Sequence, residues 1–465
     1  MLKIDHLNRR DFLRRGAAGL AVLGAAPLML SAESGLAAEG WTSSGRKLNV
    51  ACIGLGSQMN GLIQELVLLD QNIVALCDVD SARIEAAHKT HGAALAPANA
   101  YKDYRELLKR EKKVDAVVIA TPDHWHAAVA SRAIRYDKHV YCEKPLAHTV
   151  GEARYLRELA RKSKVVTQTG NQGSASANFR RSMELVQAGM LGTVRDVYIW
   201  EPAHGWPNGV DRPAGADSVP EGLDWDFWLG PAPARPYKAA VYHPAQWRGW
   251  FDFGGGSISD FCCHNFSLPV RALELEYPNR IEVSGVALHK ESFPKSCNVR
   301  FSFPARPGHA AVTIHFSSGG ELPPEEATAG MPQTWGRVPD GGCLLVGDKG
   351  ALSVGRWNNQ CFLKLSDEPE FRSGLNHPVA TRVAQTLPRA PHDRHMLEFI
   401  EACQGNGKTF SPFEVGGHVT EIGAAGLVAL RLGRNIDWDG AGMKAIGVPE
   451  ANRLVRPQHR KGWGV

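Results

Sequence analysis

Between residues 47 and 169, short apolar runs take turns with amphipathic stretches, and this alternation constrains the fold more than any other feature of the chain. The runs at 49–54, 73–77, 114–120, 139–142 and 165–169 are apolar almost throughout, as strands buried on both faces must be. The stretches between them, at 61–69, 82–88, 101–110, 127–135 and 152–161, carry apolar residues at helical spacing. Strand and helix signals in regular turn imply a parallel sheet with helices on both faces, a Rossmann-like doubly wound domain over 46–170.

After Gly170 the texture changes. Residues 203–250 are rich in Pro, Gly and Trp and weakly periodic, which predicts a long structured loop region. Alternating runs at 281–286, 299–303, 311–316 and 343–346 predict strands of a second sheet, and 395–403 and 415–432 predict helices. The expected fold class is therefore α/β: the Rossmann domain, then a domain over 171–440 with a large, mostly antiparallel open sheet, then a tail at 441–465 packing on both. A chain of 465 residues suits two cores, and 43% hydrophobic with 22% charged residues excludes disordered and fibrous classes. The formal charge of +5 drops to +3 once residues 1–38 are set aside, so no nucleic-acid partner is expected.

Residues 1–38 are set aside because Arg9-Arg10-Asp11-Phe12-Leu13, an uncharged Gly/Ala/Leu stretch and a run of small residues resemble a twin-arginine export signal. The stretch is short for a span, so removal or loose tethering is expected, with no stable membrane insertion and a periplasmic or exported destination. Cys52, Cys77 and Cys142 fall inside the predicted buried strands, and the count of nine is odd, so free buried thiols are expected over disulfides.

Three constellations carry chemistry. The first apolar run ends in Gly54-Leu55-Gly56-Ser57-Gln58-Met59, a dinucleotide turn whose third glycine is replaced by Met59. Asp78 closes the second run, where a carboxylate can accept from ribose hydroxyls and repel a 2′-phosphate. Next, Thr121-Pro122-Asp123-His124-Trp125-His126 and Glu143-Lys144-Pro145 follow the fourth and fifth strands, at the carboxyl ends where such sheets bind ligands. Lys144 is either a donor to a reacting hydroxyl or one more surface cation. Third, the glycines at 254–256 open a helix that sets Asp260 and His264 on one face at i, i+4, either a base with its orienting carboxylate or a plain helix-surface pair. A zinc site from Cys262, Cys263 and His264 is disfavoured because adjacent helical residues diverge, and no metal is expected. Trp225, Trp228, Trp247 and Trp250 either offer flat faces to a sugar ring or pin the loop, and Arg248 either binds a substrate oxygen or pairs with an acid.

In this order, Gly54/Gly56, Asp78, Thr121-Pro122, Glu143-Lys144-Pro145 and Asp260-x-x-x-His264 resemble the Gfo/Idh/MocA oxidoreductases, and the resemblance runs through essentially all of 46–465. It implies that Lys144 contacts the nicotinamide ribose and the substrate hydroxyl, that His264 is the general acid/base, and that Asp260 bonds and supports the imidazole. It further implies that Gly54, Gly56, Ser57, Gln58, Met59, Asp78, Thr121, Pro122, Asp123, His126, Glu143 and Asn171 line the cofactor, that Trp247 and Arg248 face the substrate, and that the Lys144–Pro145 peptide is cis. Met59 and Cys262 depart from the family pattern, the first threatening cofactor affinity and the second only local packing.

The expected function is NAD-dependent oxidation of a hydroxyl on a small sugar, glycoside or polyol. Soluble NAD is scarce outside the cytoplasm, so a tightly held cofactor is expected, together with assembly as a homo-oligomer. The competing function is a redox-neutral NAD-dependent glycosidase of the α-N-acetylgalactosaminidase kind, which oxidises the sugar transiently, eliminates the aglycone and reduces the product back. A silent carbohydrate-binding module is the third.

Overall fold

In the computed structural model, which describes residues 45–464 apart from 286, 288 and 334–337, the first six strands form one parallel sheet. Its elements are β1 (Asn49–Ile53), α1 (Ser57–Leu68), β2 (Asn72–Cys77), α2 (Ser81–His91), β3 (Asn99–Tyr101), α3 (Tyr104–Arg110), β4 (Ala116–Ile119), α4 (Asp123–Arg135), β5 (His139–Cys142), α5 (Val150–Lys162) and β6 (Thr167–Thr169). The strand order β3-β2-β1-β4-β5-β6 reverses direction between β1 and β4, opening a crevice at their carboxyl ends. All four residues of β4 are buried, which is why its run reads as continuously apolar. The expected export signal at 1–38 lies outside the described residues.

Beyond this sheet come α6 (Ala177–Gln187), β7 (Val194–Glu201), α7 (Trp225–Leu229), α8 (Gly256–Asn265), α9 (Ser267–Ala272), β8 (Arg280–Ser284), β9 (Cys297–Phe303) and β10 (Val312–Ser318). They are followed by α10 (Glu325–Thr328), β11 (Gly342–Gly347), β12 (Gly350–Ser353), β13 (Phe362–Leu365), β14 (Arg372–Ser373), α11 (His395–Cys403), α12 (Phe413–Leu432), β15 (Ile436–Asp439), β16 (Lys444–Ala445) and α13 (Asn452–Val455). The second sheet has ten strands in the order β14-β13-β12-β11-β7-β10-β9-β8-β15-β16, antiparallel except where β7 meets β10. Val312, Ile314 and Phe316 of β10 and Val299, Phe301 and Phe303 of β9 face one core, giving the alternation seen in the sequence. β7, at the centre of this sheet, and α6 escape the sequence reading.

The core side of the second sheet supports α8 and α12. Glycines let α12 come close: a Cβ on Gly426 would overlap the Phe301 ring, and one on Gly423 would overlap the Cys262 sulfur. Cys262 thus changes local packing, as expected. All nine cysteines are free, and eight are buried.

α6 is anchored by Glu184, whose buried carboxylate accepts from Arg389 at 2.8 and 2.9 Å, from Arg181 at 3.0 Å, and from the Thr386 and Leu387 amides at 3.0 Å. Burial alone would raise its pKa, but Arg389, the Leu387 amide and Arg181 outweigh burial and hold it at about 2. A depressed pKa stabilises the fold above the unfolded-state value and loses that contribution as pH falls toward the folded value. Glu184→Gln is expected to cost about 3 kcal/mol in denaturant unfolding at pH 7, the scale for breaking a buried pair. The same variant should lose less stability than wild type between about pH 4.5 and about pH 2.

Candidate active site

The glycine turn after β1 is shaped by the turn after β4. Gly54 has φ +83°, and a Cβ there would come within 2.7 Å of the Thr121 amide nitrogen, so a side chain is excluded. Gly56 caps α1 without a side-chain hydrogen bond and has nothing within 4 Å of where its Cβ would lie. Unsatisfied amides of the first turn therefore open onto free space, the arrangement that binds a pyrophosphate. This space belongs to a cavity of about 370 Å³ lined by Gly54, Gly56, Ser57, Gln58, Asp78 and, from the other strand ends, Thr121, Pro122, Asp123, His126, Glu143 and Lys144. Asp78 accepts from the Leu55 amide at 2.6 Å and the Asp80 amide at 2.9 Å, tying β2 to the glycine turn. Burial raises its pKa, and the two amides oppose that rise. These residues fit a dinucleotide.

Two expected cofactor contacts are corrected. Met59 does not line the cavity: it is fully buried with Leu62 and Leu66 under the sheet, so the missing third glycine is absorbed by packing. Asn171 points away as well, its side-chain amide donating to the Cys263 carbonyl. The His126 ring lies between the carbonyls of Pro145 at 2.6 Å and Thr121 at 2.9 Å, which pins two strand-end turns together.

At the other end of the cavity, Lys144 Nζ donates to Asp260 Oδ1 at 2.9 Å and to the Asp260 carbonyl at 3.0 Å. The Lys144–Pro145 peptide is cis, as expected, and so is His243–Pro244. Arg248 stacks on Trp247 at 4.2 Å and reaches Asp260 at 3.5 Å, and both Arg248 and Trp247 line the cavity. Burial would raise the Asp260 carboxyl, but Lys144 and Arg248 hold it well below the usual carboxylate range. Reciprocally, burial would lower Lys144, but Asp260 raises it.

The expected Asp260–His264 bond is not formed. Asp260 spends its carboxylate on the lysine and arginine, because two cations next to a buried acid outcompete a neutral ring. His264 instead meets Trp357 edge-on at 4.8 Å, and the Asn358 side chain holds its backbone carbonyl at 2.5 Å. Burial first, then the Lys144 charge, keep its pKa well below the ordinary value, so the imidazole is neutral. It does not itself line the cavity.

Of the four tryptophans, Trp225 and Trp228 stack at 4.7 Å, and with Tyr237, Tyr242, Trp250 and Phe253 they make a small core of their own. Trp225 and Trp250 turn their indole N–H groups to the loop carbonyls of Arg235 and Val241. These two pin the loop; Trp228 and Trp247 also border the cavity. Sequence reasoning missed Glu201, at the end of β7, whose buried carboxylate accepts from Arg356 and Asn265 at 2.7 Å each. It also missed His204, stacked between Trp206 and Phe261. No motif flags these residues; for Glu201, a charge directly after the apolar run Val197–Trp200 was the available signal.

The comparisons with known proteins agree with this architecture. Residues 48–171 match the oxidoreductase family, NAD-binding Rossmann fold, and residues 177–304 match the same family's C-terminal alpha/beta domain. Among curated relatives, the myo-inositol 2-dehydrogenase of Thermotoga maritima is 29% identical over 146 residues, 31% of this chain and 42% of that protein. The α-N-acetylgalactosaminidase of Shewanella oneidensis is 28% identical over 211 residues, 41% of this chain and 44% of that protein. The chain thus spans less than half the length of these relatives. An inositol dehydrogenase homolog from Azotobacter vinelandii, solved with NADH and myo-inositol, shares the fold with a TM-score of 0.59 at 19% identity, over 84% of this chain and 98% of that one. The WlbA dehydrogenase of Bordetella pertussis, solved with NADH and UDP-GlcNAcA, gives 0.58 at 17% identity, over 85% and 99% of the two chains. Two models of one family, matched in chain order over more than half of the sequence, make this protein a member of the Gfo/Idh/MocA oxidoreductases.

Proposed function

We propose that the protein uses NAD to oxidise a hydroxyl of a small sugar, glycoside or polyol. The observation that carries this reading is the 2.9 Å pair between Lys144 and Asp260, which sets a charged lysine at the carboxyl end of β5 in a cavity that fits a dinucleotide. When bound, NAD would supply the hydride acceptor, with the α1 amides holding its pyrophosphate and Asp78 its adenine ribose. Lys144 donates to the substrate hydroxyl and favours its alkoxide-like form. His264, neutral at working pH, takes the proton. Asp260 keeps Lys144 charged and in place, and Arg248 and Trp247 hold the sugar from the loop side. The inositol dehydrogenase relative supports the polyol part of the reading. We also propose export through the Arg9-Arg10 signal, with NAD held tightly, and assembly as a homo-oligomer.

The test is a panel of sugars, polyols and aryl glycosides, including an aryl α-N-acetylgalactosaminide, with NADH and released aglycone both followed. Stoichiometric NADH supports the dehydrogenase. Aglycone release without NADH accumulation replaces it with the redox-neutral glycosidase, and no turnover with any compound sinks both.

Lys144→Met and His264→Ala are each expected to lower kcat/KM by about 10²- to 10⁴-fold, while NAD affinity survives His264→Ala. Asp260→Asn removes the group that raises Lys144, so the lysine pKa should fall and the pH profile should move toward acid.

NADP should bind at least about tenfold more weakly than NAD, because its 2′-phosphate meets Asp78. Asp78→Ala should narrow that gap in fluorescence titrations; equal affinities in the wild type would remove Asp78 from the ribose site.

A further inference from the structure

We propose that Asp123 works as an uncharged carboxylic acid, donating a hydrogen bond to an acceptor oxygen of the ligand bound beside Lys144. This rests on the oxidoreductase reading of the same cavity. Asp123 opens α4 immediately after Thr121-Pro122, is 3% exposed, and lines the cavity together with Lys144 and Arg248. The cations there are committed elsewhere: Lys144 and Arg248 both pair with Asp260, and among the described residues Asp123 forms no ion pair. Its polar partner is the Gly255 amide.

Asp260, engaged by Lys144 and Arg248, is the acid that ionises; Asp123, buried in the cavity wall and in no ion pair among the described residues, keeps its proton against that neighbouring charge. Burial first, then the negative charge of Asp260, push Asp123 up to about 8, against Arg248, Lys144 and the Gly255 amide. A protonated carboxyl has an O–H to give, whereas an ionised one only accepts and would repel a ligand oxygen. Ligand engagement is therefore expected to weaken as pH rises through about 8.

Of the groups facing Asp123, two carboxylic acids, Glu143 and Glu201, are raised in the same direction as it is. On its own helix, burial lowers His124 to about 3 and His126 to about 4. From α8 it meets Asp260, well below the carboxylate range, and near that residue lies His264, likewise lowered. From β5 and its end, burial lifts the Cys142 thiol well above its usual value, and Asp260 raises Lys144. Burial lifts Glu143 next to Lys144, and lifts Glu201 to about 7 beyond Asp260. Asparagine at 123 distinguishes these last two acids from Asp123, since an amide donates at every pH.

The holoenzyme is examined by infrared difference spectroscopy between pH 6 and pH 10, with kcat/KM for the best sugar and NADH affinity measured over the same range. The wild type should show a protonated-carboxyl band that disappears with a midpoint of about 8 and is missing in Asp123→Asn. Asp123→Leu should lose roughly 30-fold in kcat/KM at pH 7, and Asp123→Asn, whose amide donates at every pH, should lack the alkaline fall whatever its kcat/KM at pH 7. A fall confined to kcat/KM places the acceptor oxygen on the sugar, and a matching fall in NADH affinity places it on the nicotinamide carboxamide. The proposal is overturned by the absence of an Asp123-dependent band, by an alkaline limb that persists in Asp123→Asn, or by pH-independence of both binding and turnover. Failure to oxidise any sugar counts against the oxidoreductase reading, whereas the infrared band and NADH affinity still report on Asp123.

Discussion

A lysine from the end of one sheet and an aspartate from a helix of the other domain, 116 residues apart in the chain, meet at 2.9 Å with little exposure to water. Taking both charges out of water costs several kcal/mol each, so this pair persists only if its surroundings fix both partners in contact. On the lysine side, Glu143 is gripped by Gln58 at 2.9 Å and Gln172 at 2.7 Å, and Gly170 leaves the room its carboxylate needs. On the aspartate side, the Asp260 backbone carbonyl accepts from the same ammonium, which ties the lysine to the helix as well as to its side chain.

The helix that carries Asp260 is held from behind by α12, and α12 is held by α5. Glu421, buried in α12, accepts from Arg154 at 2.8 Å and Arg157 at 2.6 Å on α5, and both arginines share the Tyr277 hydroxyl. Gly416 and Gly417 leave room for Thr169 and for the stem of Arg157 at this contact. The Rossmann sheet and α8 therefore share a buried, charged and tightly packed spine. A shift of α12 would move Asp260 relative to Lys144, so the spacing of this pair is set by packing well outside the cavity.

How much of this was legible follows from which interactions are local. The parallel strands were readable because burial on both faces leaves continuous apolar runs, and α8 was readable because three glycines and a periodic run announce a helix start. The face shared by Asp260 and His264 is likewise a property of helical spacing. What the aspartate bonds is not: Lys144 and Arg248 reach it through tertiary structure, and no spacing in the chain records that meeting. Where the Met59 side chain goes was not legible for a related reason, since a motif position says which residue is usual and not which way a larger side chain will turn. β7 was missed because its central place in the second sheet depends on partners more than a hundred residues downstream. The tryptophans divide by the same logic, Trp225 and Trp250 satisfying their N–H groups inside the loop that the sequence could only describe as aromatic.

Acids in and around the cavity end up in different states because cations are distributed unequally among them. Asp260 has two and is ionised; Glu201 has Arg356 alone and is lifted by burial to about 7; Asp123 has none paired with it and is lifted further, to about 8. Their chemistry is the same, so the difference arises entirely from placement. Burial, then the Lys144 charge, set the state of the histidine: the Asp260 carboxylate opposes them while engaged by Lys144 and Arg248, and the buried ring stays neutral. Had Asp260 bonded the imidazole, as helical spacing alone suggests, the ring would have been drawn toward its protonated form and Lys144 would have lost the partner that raises its pKa. The spacing that puts the two residues on one helical face thus leaves the carboxylate to the cations and the ring to its burial.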